Sequence, residues 1–571
     1  MSRENGQRLL GHHQMNIPSN IISLLKLSIN TPKQLAQIFA KTITLGLTHT
    51  TLTWNCIIRA YAKSPTPIQA ILIYNHFMQS SSLPPPDHHT YPALFKACGR
   101  MLSLPKGKEI HAHVTKTGFS SDIYVQNSLI HMYGVTTQME DSRRLFDQMP
   151  QRDLATWNSI LSAYTAKPSL QHEALGLFNA MAFEGVGADS ITLVILLSVC
   201  TQWGMLDCGR MVHAYALKSG HMDNSLLNLG NALLGFYAKG SHMDSAFQCF
   251  SEMGFTDIVS CTILINGYVE SGSVDVARKI FDGIVAKDIV LWNSMIHGYV
   301  KAKRWNEALE LFNKMEMEKV TADEKTVVSV LSACASLSNL QSGRLVHQFI
   351  LRMNIKIDDF VGTALVDMYA KCGSLEVAVS TFHKLKCRDV FTWTAVITGL
   401  ANHGHGKDAL CLFSQMQKEG IEPNEATFVA ILTACRHSGL VNEGRHCFDQ
   451  MVRVYKIHPK AEHFGCMIDL LSRAGLLCEG GELITSTGAE DRIIACKTLL
   501  SACISHAEFG LGRKVAKELL KLDSQSHGVY VLLSNFYALA GCWDDVLEMR
   551  RIMKKLNLRK ELGVSFVEVK T

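Results

Sequence analysis

Hydrophobic and polar residues alternate along most of this chain with the period of an amphipathic α-helix, and the helical stripes come in pairs. The segment Ile289–Asp323 gives a clear example of such a pair. Its apolar positions are Trp292, Met295, Ile296 and Tyr299 in the first stripe and Ala308, Leu311, Phe312 and Met315 in the second. Residues at this spacing share one face of a helix. The segment is therefore predicted to form two helices of three to four turns that pack as a hairpin.

The paired pattern recurs along the chain at spacings of 31 to 37 residues, most often 31, 35 or 36. Four of the first stripes contain an aromatic residue followed by a polar one: Trp54-Asn55, Trp157-Asn158, Trp292-Asn293 and Trp393-Thr394. A glycine recurs at the predicted hairpin turn, where it tolerates a left-handed backbone: Gly272, Gly373, Gly404, Gly439 and Gly475. Hairpins that cannot bury their stripes alone stack on their neighbours. The chain is predicted to be an all-α tandem repeat of helical hairpins.

Composition agrees with a folded repeat array and leaves the partner open. The chain has 571 residues, 47% hydrophobic and 19% charged. A single core does not grow to this size. The formal charge of +5 permits a polyanionic partner without requiring one. No apolar run reaches the ~20 residues that a membrane-spanning helix needs.

The cysteines recur at one position of the repeat. Five of the seventeen end an apolar helical run directly after an alanine or a valine: Cys98, Cys200, Cys334, Cys435 and Cys503. A cysteine at a repeated structural position is most simply a small packing residue. No C-x-x-C pair occurs, so zinc-site spacing is missing. We expect free thiols, no metal site and a reducing compartment.

The repeats resemble those of a known protein family. Segments such as Gly343-Arg344-Leu345-Val346-His347 and Met368-Tyr369-Ala370-Lys371-Cys372-Gly373 look like pentatricopeptide repeats of the plant PLS subfamily. Glu324–Asp358 resembles an L-type repeat, Asp359–Asp389 an S-type repeat, and the 35-residue repeats resemble P type. Leu499–Cys503, Tyr530–Asn535 and Gly563–Val569 resemble the E motifs of the E subgroup. The resemblance implies a right-handed superhelical solenoid of helix-turn-helix repeats.

The resemblance divides the chain into four parts. Residues 1–20 are predicted to be an organellar transit segment, 21–50 a degenerate first repeat, 51–487 the array of P, L and S repeats, and 488–571 the E motifs. No acidic residue occurs between Glu4 and Asp87, and such acid-poor, basic N-termini suit organellar import. The alternative is that only some twenty residues are free to act as a targeting signal. We expect a mitochondrial location, with the chloroplast as the alternative.

The resemblance to this family implies that two residues of each repeat select one RNA base. The reading residue follows the aromatic position of the first helix, and the terminal residue ends the repeat. Asn with Asp implies U and then C: Asn55 with Asp87, Asn127 with Asp153, Asn158 with Asp189, Asn231 with Asp257, and Asn293 with Asp323. Thr262 with Asp288 and Thr363 with Asp389 imply G, and Thr394 with Asn424 implies A. L-type repeats carry Pro92, Val194, Val328 and Val429 at the reading position.

The family also places a stacking residue three positions before each reading residue. These positions hold Leu52, Tyr124, Val259, Val290, Phe360 and Phe391, and less suitably Ala155 and Asn228. Side chains of the first group can cover a base face. Read from the N-terminus as 5′ to 3′, the target would be pyrimidine-rich, with G and then A near its 3′ end. The alternative is that Asn and Asp serve only as helix caps and turn residues.

The chain is not expected to be an enzyme. A cytidine-deaminase site needs H-x-E followed by P-C-x-x-C. His506-Ala507-Glu508 matches the first half, but only Cys542 follows it. The resemblance implies a site-recognition factor for C-to-U editing of organellar transcripts. Its partners would be single-stranded organellar RNA, a DYW-type deaminase acting in trans and organellar RNA editing factors. The alternatives are an RNA stability or splicing factor and a helical-repeat protein scaffold.

Overall fold

The structure is a computed structural model that describes residues 32–44, 50–79, 85–165, 171–220, 227–254, 256–485, 489–523 and 526–555. The predicted transit segment 1–20 and the segment Gly563–Val569 of the second E motif lie outside the described residues. Contacts divide the chain into two compact units, residues 1–284 and 285–571. In the described part the chain forms 31 α-helices and no β-strand.

The first compact unit contains fifteen of these helices. They are α1 (Pro32–Thr44), α2 (Thr51–Lys63), α3 (Ile68–Gln79), α4 (Thr90–Arg100), α5 (Leu104–Thr117), α6 (Ile123–Val135), α7 (Met139–Gln148), α8 (Leu154–Thr165), α9 (Gln171–Phe183), α10 (Ser190–Trp203), α11 (Leu206–Lys218), α12 (Leu227–Lys239), α13 (Met243–Glu252), α14 (Ile258–Glu270) and α15 (Val274–Gly283). From α2 onward each even-numbered helix is the first helix of a hairpin and the next odd-numbered helix is the second.

The second compact unit continues the same alternation. Its helices are α16 (Ile289–Lys301), α17 (Trp305–Met317), α18 (Glu324–Ser336), α19 (Leu340–Arg352), α20 (Asp359–Lys371), α21 (Leu375–Lys384), α22 (Val390–Asn402), α23 (Gly406–Lys418), α24 (Glu425–Ser438), α25 (Val441–Asp449), α26 (Ala461–Arg473), α27 (Leu477–Thr485), α28 (Ala489–Ser505), α29 (Phe509–Leu522), α30 (His527–Leu539) and α31 (Trp543–Lys555). A π-helical turn, Gln450–Val454, follows α25. Within each compact unit, consecutive first helices pack side by side.

The stripes predicted for α16 and α17 form the core. Trp292, Met295 and Ile296 of α16 are completely buried, and so are Ala308 and Met315 of α17. The predicted all-α fold class of tandem helical hairpins is therefore confirmed. No helix in the described ranges is both long and apolar enough to cross a membrane.

The hairpin turns use a left-handed residue at a repeated position. Gly272 and Gly373, both predicted from the sequence, have φ angles of +80° and +77°. In other hairpins a residue with a side chain takes the left-handed conformation at the turn, as Lys303 does with φ of +59°. Such a residue costs roughly 1–2 kcal/mol in this conformation, so the turn geometry is imposed by the packing of the two helices.

The cysteines at the ends of the first-helix stripes are packing residues. Cys98, Cys200, Cys334, Cys435 and Cys503 are all fully buried and free. Burial raises the pKa of the Cys98 thiol to about 11 and that of Cys334 to about 12. These thiols are therefore protonated at neutral pH and act as small apolar groups.

Second helices of L-type repeats dock closely on the next first helix. Gly343 of α19 lies against the side chain of Met368 in α20, where a Cβ atom would clash. One turn further along α19, His347 Nδ1 lies 2.9 Å from Tyr369 Oη. The same His–Tyr hydrogen bond joins His213 and Tyr237 at 2.9 Å. These contacts fix the distance between neighbouring hairpins and so the spacing of their first helices.

Candidate nucleic-acid interface

Every reading residue lies in the second turn of a first helix, and every terminal residue lies just before the next first helix. Asn293, for example, is in α16, and Asp323 precedes α18. Within each compact unit consecutive first helices pack side by side, which places a reading residue beside the terminal residue of its own repeat when both lie in that unit. Residues 30 positions apart in the sequence thereby become neighbours.

All the predicted Asn–Asp pairs are joined by a side-chain hydrogen bond. In each pair the amide nitrogen of asparagine donates to a carboxylate oxygen of aspartate. The Nδ2–Oδ1 distances are 2.8 Å for Asn55–Asp87, 3.3 Å for Asn127–Asp153, 3.2 Å for Asn158–Asp189, 3.4 Å for Asn231–Asp257 and 3.0 Å for Asn293–Asp323. The sequence-predicted partners are therefore brought together in both compact units.

The terminal residues are also helix caps, as the alternative interpretation proposed. Asp323 accepts a hydrogen bond from the backbone N–H of Thr326 at 2.9 Å, and Asn424 accepts one from Thr427 at 3.0 Å. Capping accounts for the recurrence of Asp or Asn at the terminal position of these repeats. It does not account for the asparagine at the reading position, which lies inside a helix and caps nothing. Helix capping therefore explains the terminal residue of each pair, whereas base reading is needed to explain the asparagine at the reading position.

The threonine reading residues are arranged differently. Thr363 Oγ1 lies 2.7 Å from the carbonyl oxygen of Asp359, and Thr394 Oγ1 lies 2.7 Å from that of Val390. The hydroxyl of Thr392 lies between Thr363 and Asp389, 2.6 Å from the first and 2.7 Å from the carboxylate of the second. The structure thus links Thr363 to its terminal residue through a third side chain.

The remaining threonine pairs follow the same plan in part. The hydroxyl of Thr427 lies 2.7 Å from Thr394 Oγ1 and 3.0 Å from Asn424 Oδ1. Thr262 in the first compact unit donates to the carbonyl oxygen of Ile258 at 2.7 Å. Asp288 in the second compact unit caps α16 through the N–H of Leu291 at 2.9 Å.

The paired carboxylates are ionised. Burial raises the pKa of Asp87, but hydrogen bonds from Asn55, Thr90 and the backbone outweigh it, so the pKa lies below its ordinary value. The pKa of Asp323 is lowered in the same way, against the effect of burial, by the backbone and side chain of Thr326 and by Asn293. A negatively charged terminal residue holds the asparagine amide with its nitrogen towards the carboxylate, because the amide oxygen would be repelled there.

These contacts determine which polar groups remain for a ligand. An asparagine that gives one N–H to Asp keeps a second N–H and an oxygen lone pair. That combination of donor and acceptor matches the edge of a pyrimidine base. The only proton of Thr363 is used inside the protein, by the carbonyl oxygen of Asp359 or by the hydroxyl of Thr392. Thr363 therefore stays an acceptor for a ligand, which suits the N–H groups of guanine. Asn424 uses its oxygen for the cap and keeps an NH₂ donor, which suits the N1 acceptor of adenine.

The stacking residues form exposed apolar positions one turn before the reading residues. Leu52, Tyr124, Val259, Val290, Phe360 and Phe391 are each between 52% and 77% exposed. Ala155 and Asn228 are exposed as well. Large apolar side chains repeated at one exposed position are a sign of a binding surface. Sequence reasoning missed Ile191, which has the equivalent position in an L-type repeat and is also exposed.

A second group missed from the sequence is a set of buried hydroxyls beside the reading residues, such as Thr326 and Thr392. The signal that could have found them is a Thr or Ser repeated three positions after the terminal residue.

His506, the residue that matched half of a deaminase motif, is exposed between α28 and α29. In the described ranges no cluster of His, Cys, Asp and Glu could hold a metal ion.

Comparison with known proteins identifies the repeats. The E motif family matches residues 506–568, the PPR repeat family matches residues 287–336 and 388–437, and PPR repeats match residues 127–154, 259–289 and 363–390. A pentatricopeptide repeat-containing protein of Arabidopsis thaliana is 39% identical over 518 residues, which is 90% of this chain and 86% of the relative. The chain belongs to the pentatricopeptide repeat-containing proteins. The resemblance stated from the sequence is therefore confirmed.

Other relatives and solved structures extend the comparison. An Arabidopsis thaliana relative named as mitochondrial is 40% identical over 90% of this chain and 76% of its own length. Another, named as chloroplastic, is 34% identical over 91% of this chain and 70% of its own length. The pentatricopeptide repeat protein PPR10 from maize has a similar fold, with 16% identity and a TM-score of 0.56 over 91% of this chain and 81% of PPR10. PPR10 in complex with an 18-nt psaJ RNA element gives a TM-score of 0.61 over 94% and 84% of the two chains.

Proposed function

We propose that this pentatricopeptide repeat protein binds single-stranded organellar RNA in a sequence-specific way and marks sites for C-to-U editing. The observation that carries RNA reading is the recurrence of one arrangement in both compact units. A reading asparagine is bonded to its terminal aspartate, and where the stacking residue is a large apolar side chain, that side chain is exposed one turn earlier. A modular array that reads one base per repeat is an established way to recognise RNA.

Comparison with the family supports RNA, and not another protein, as the ligand. PPR10, which shares this fold, is named as a complex with an 18-nt psaJ RNA element. A protein scaffold would have no reason to combine exposed stacking residues with paired polar groups that leave a fixed donor and acceptor. In the proposed binding mode the array runs 5′ to 3′ along the RNA from its N-terminal repeats.

Editing is supported by the E motif at residues 506–568. In the proposed division of work this chain recognises the site and a DYW-type deaminase, acting in trans with organellar RNA editing factors, deaminates the cytidine. Relatives named as mitochondrial and chloroplastic support an organellar location. We propose the mitochondrion, with the chloroplast as the alternative, and imaging of a fluorescent fusion to the full chain distinguishes the two.

The editing proposal is tested by sequencing organellar RNA from a line that lacks this protein. We expect at least one C-to-U site to become unedited, and its upstream sequence should match the order of reading pairs. If every site stays edited while transcript ends or introns change, the protein is a stability or splicing factor and the editing proposal is wrong.

Base reading is tested with one substitution. Asn293→Thr replaces a donor and acceptor with an acceptor, as in the Thr363 repeat. Binding selection from a random RNA pool should show that preference at one nucleotide shifts from U towards G, while the other nucleotides are unchanged. Unaltered preference at every nucleotide would contradict the assignment of Asn293 as a reading residue.

A further inference from the structure

A buried hydroxyl lies next to almost every reading pair. It belongs to the third residue after the terminal residue, in the first turn of the next first helix. We call these side chains the bridging hydroxyls: Thr90, Thr156, Thr192, Ser260, Thr326, Thr392 and Thr427. All of them are completely buried. A buried hydroxyl requires hydrogen-bond partners, so its partners indicate what it does.

Thr326 has partners in both halves of the reading pair. Its Oγ1 lies 2.6 Å from Asn293 Oδ1 and 2.9 Å from Asp323 Oδ1, and it accepts the backbone N–H of Asp323 at 3.2 Å. The contact with the asparagine oxygen is the shortest of the three. It recurs with the same atoms at 2.7 Å for Thr90, 2.7 Å for Thr192 and 2.6 Å for Ser260.

Helix capping alone does not explain the bridging hydroxyls. In the capping box of α18, Thr326 accepts the backbone N–H of Asp323, and the cap makes no use of the hydroxyl proton. After three of the four L-type repeats the same position holds Val125, Leu229 or Val361, and after the fourth it holds His463. Asp122 and Asp358 nevertheless cap the next helix, accepting from the N–H of Val125 at 3.1 Å and of Val361 at 3.0 Å. A carboxylate therefore caps these helices without any hydroxyl at the third position. The hydroxyl accompanies a polar reading residue, with Leu291 after the Thr262 repeat as the exception.

We propose that the bridging hydroxyl is a positioning residue that fixes the orientation of the reading residue and so forms a third determinant of base specificity. The terminal aspartate attracts the Nδ2 side of the amide, and the hydroxyl donates to its Oδ1 side. Both contacts favour the same amide orientation, and together they leave one N–H and one lone pair for the base. This inference rests on the proposed function, since it concerns how the same residues read RNA.

The Asn127 repeat has a bridging hydroxyl but lacks its contact with the asparagine oxygen. Thr156 donates to Asp153 at 2.7 Å, and within the described part of the chain Asn127 Oδ1 is buried with no hydrogen-bond partner. The amide of Asn127 is held only through its nitrogen. We therefore expect weaker discrimination between bases at the Asn127 repeat than at the Asn293 repeat.

The test uses Thr326→Val, which removes the hydroxyl and keeps the shape, with Thr326→Ser as the matched control that keeps the hydroxyl. The probes are four fluorescein-labelled RNAs with the sequence that the wild-type protein selects from a random pool. They differ only at the nucleotide whose preference shifts in Asn293→Thr. Thr326→Val should lower the preference for U over the other bases at that nucleotide about three- to tenfold, the size of one hydrogen bond. Thr326→Ser should retain it.

A purely structural role would have a different signature. Looser packing would weaken binding to all four RNAs equally and leave the preference unchanged. Full discrimination by a folded Thr326→Val protein would overturn the inference while leaving the proposed function intact. A wild-type protein without base preference at any nucleotide would overturn both.

A second variant guards against local unfolding. Thr192→Val makes the same change beside Asn158 in the first compact unit, where Thr192 Oγ1 lies 2.7 Å from Asn158 Oδ1. Circular dichroism melts establish that each variant is folded. Loss of preference at a different single nucleotide in Thr192→Val is the expected result, and unchanged preference there contradicts the inference.

Discussion

The stacking residues give the sharpest test of the proposed RNA surface, because they should matter for binding and not for folding. Phe360 in α20 is 77% exposed, more than the other stacking residues. A substitution at so exposed a position changes stability by at most about 0.5 kcal/mol. Phe360→Ala should therefore have the melting temperature of the wild-type protein.

The expected loss of affinity follows from the exposed ring. One face of a phenylalanine ring offers roughly 75 Å² of its total apolar surface to a base. At about 25 cal/mol per Å² this area corresponds to about 2 kcal/mol. That value lies within the ~1–3 kcal/mol measured for base–aromatic stacking. Phe360→Ala should weaken binding about thirtyfold, since each 1.4 kcal/mol is about a factor of ten.

The matched control is Leu345→Ala. Leu345 is 60% exposed, but it lies on the second helix α19, outside the first-helix positions that hold the stacking residues. Fluorescence anisotropy with the RNA selected by the wild-type protein measures both variants. The reasoning is refuted if Phe360→Ala binds within about twofold of the wild-type protein, or if Leu345→Ala loses as much affinity as Phe360→Ala.

Two further predictions concern the helix packing that sets the spacing between neighbouring reading residues. A Cβ atom at Gly134 would clash with Ala163 of the next first helix, so Gly134→Ala should destabilise the protein by about 1–3 kcal/mol in urea unfolding. The control is Gly176→Ala, because a Cβ atom at Gly176 meets no neighbouring atom; it should stabilise the protein by about 0.5–1 kcal/mol. Burial, with a smaller effect of Lys384, lowers the pKa of His347 below 6.5, so the unfolded chain binds the proton first as pH falls. Stability should therefore decline from about pH 6.5 downward through the folded-state pKa, and His347→Gln should reduce that decline in unfolding curves recorded across this range.

The sequence was sufficient for those features that depend on short periods. The stripes of α16 and α17 follow from helical spacing alone, and the turn at Gly272 follows from the only residue type that adopts its backbone without cost. The pairing of Asn293 with Asp323 followed from the family resemblance, because nothing in a single sequence states that two residues 30 positions apart will meet.

Other features needed the three-dimensional structure. The bridging hydroxyl of Thr326 belongs to a different repeat from Asn293, so it appears as a partner only once neighbouring first helices are packed. The left-handed backbone of Lys303 is equally invisible in the sequence, because tertiary packing imposes it against the preference of the residue. The division into two compact units likewise has no counterpart in the repeat pattern.

The L-type repeats have no polar reading residue, yet the array can still recognise a specific RNA. Discrimination between bases accumulates over the many reading residues of the other repeats, each of which contributes little. A reading residue that is already held by its terminal residue and a bridging hydroxyl loses little freedom when a base binds. Each such reader should discriminate by about 1 kcal/mol, the net value of a hydrogen bond. The reading pairs lie in separate repeats, and contributions of well-separated positions add. Eight pairs then supply at most about 8 kcal/mol, or roughly a factor of 10⁶ in affinity between a full match and a full mismatch, and less where the bridging contact is missing. Loss of a single reader therefore lowers the affinity for the target only a fewfold, whereas an RNA that mismatches every reader is rejected.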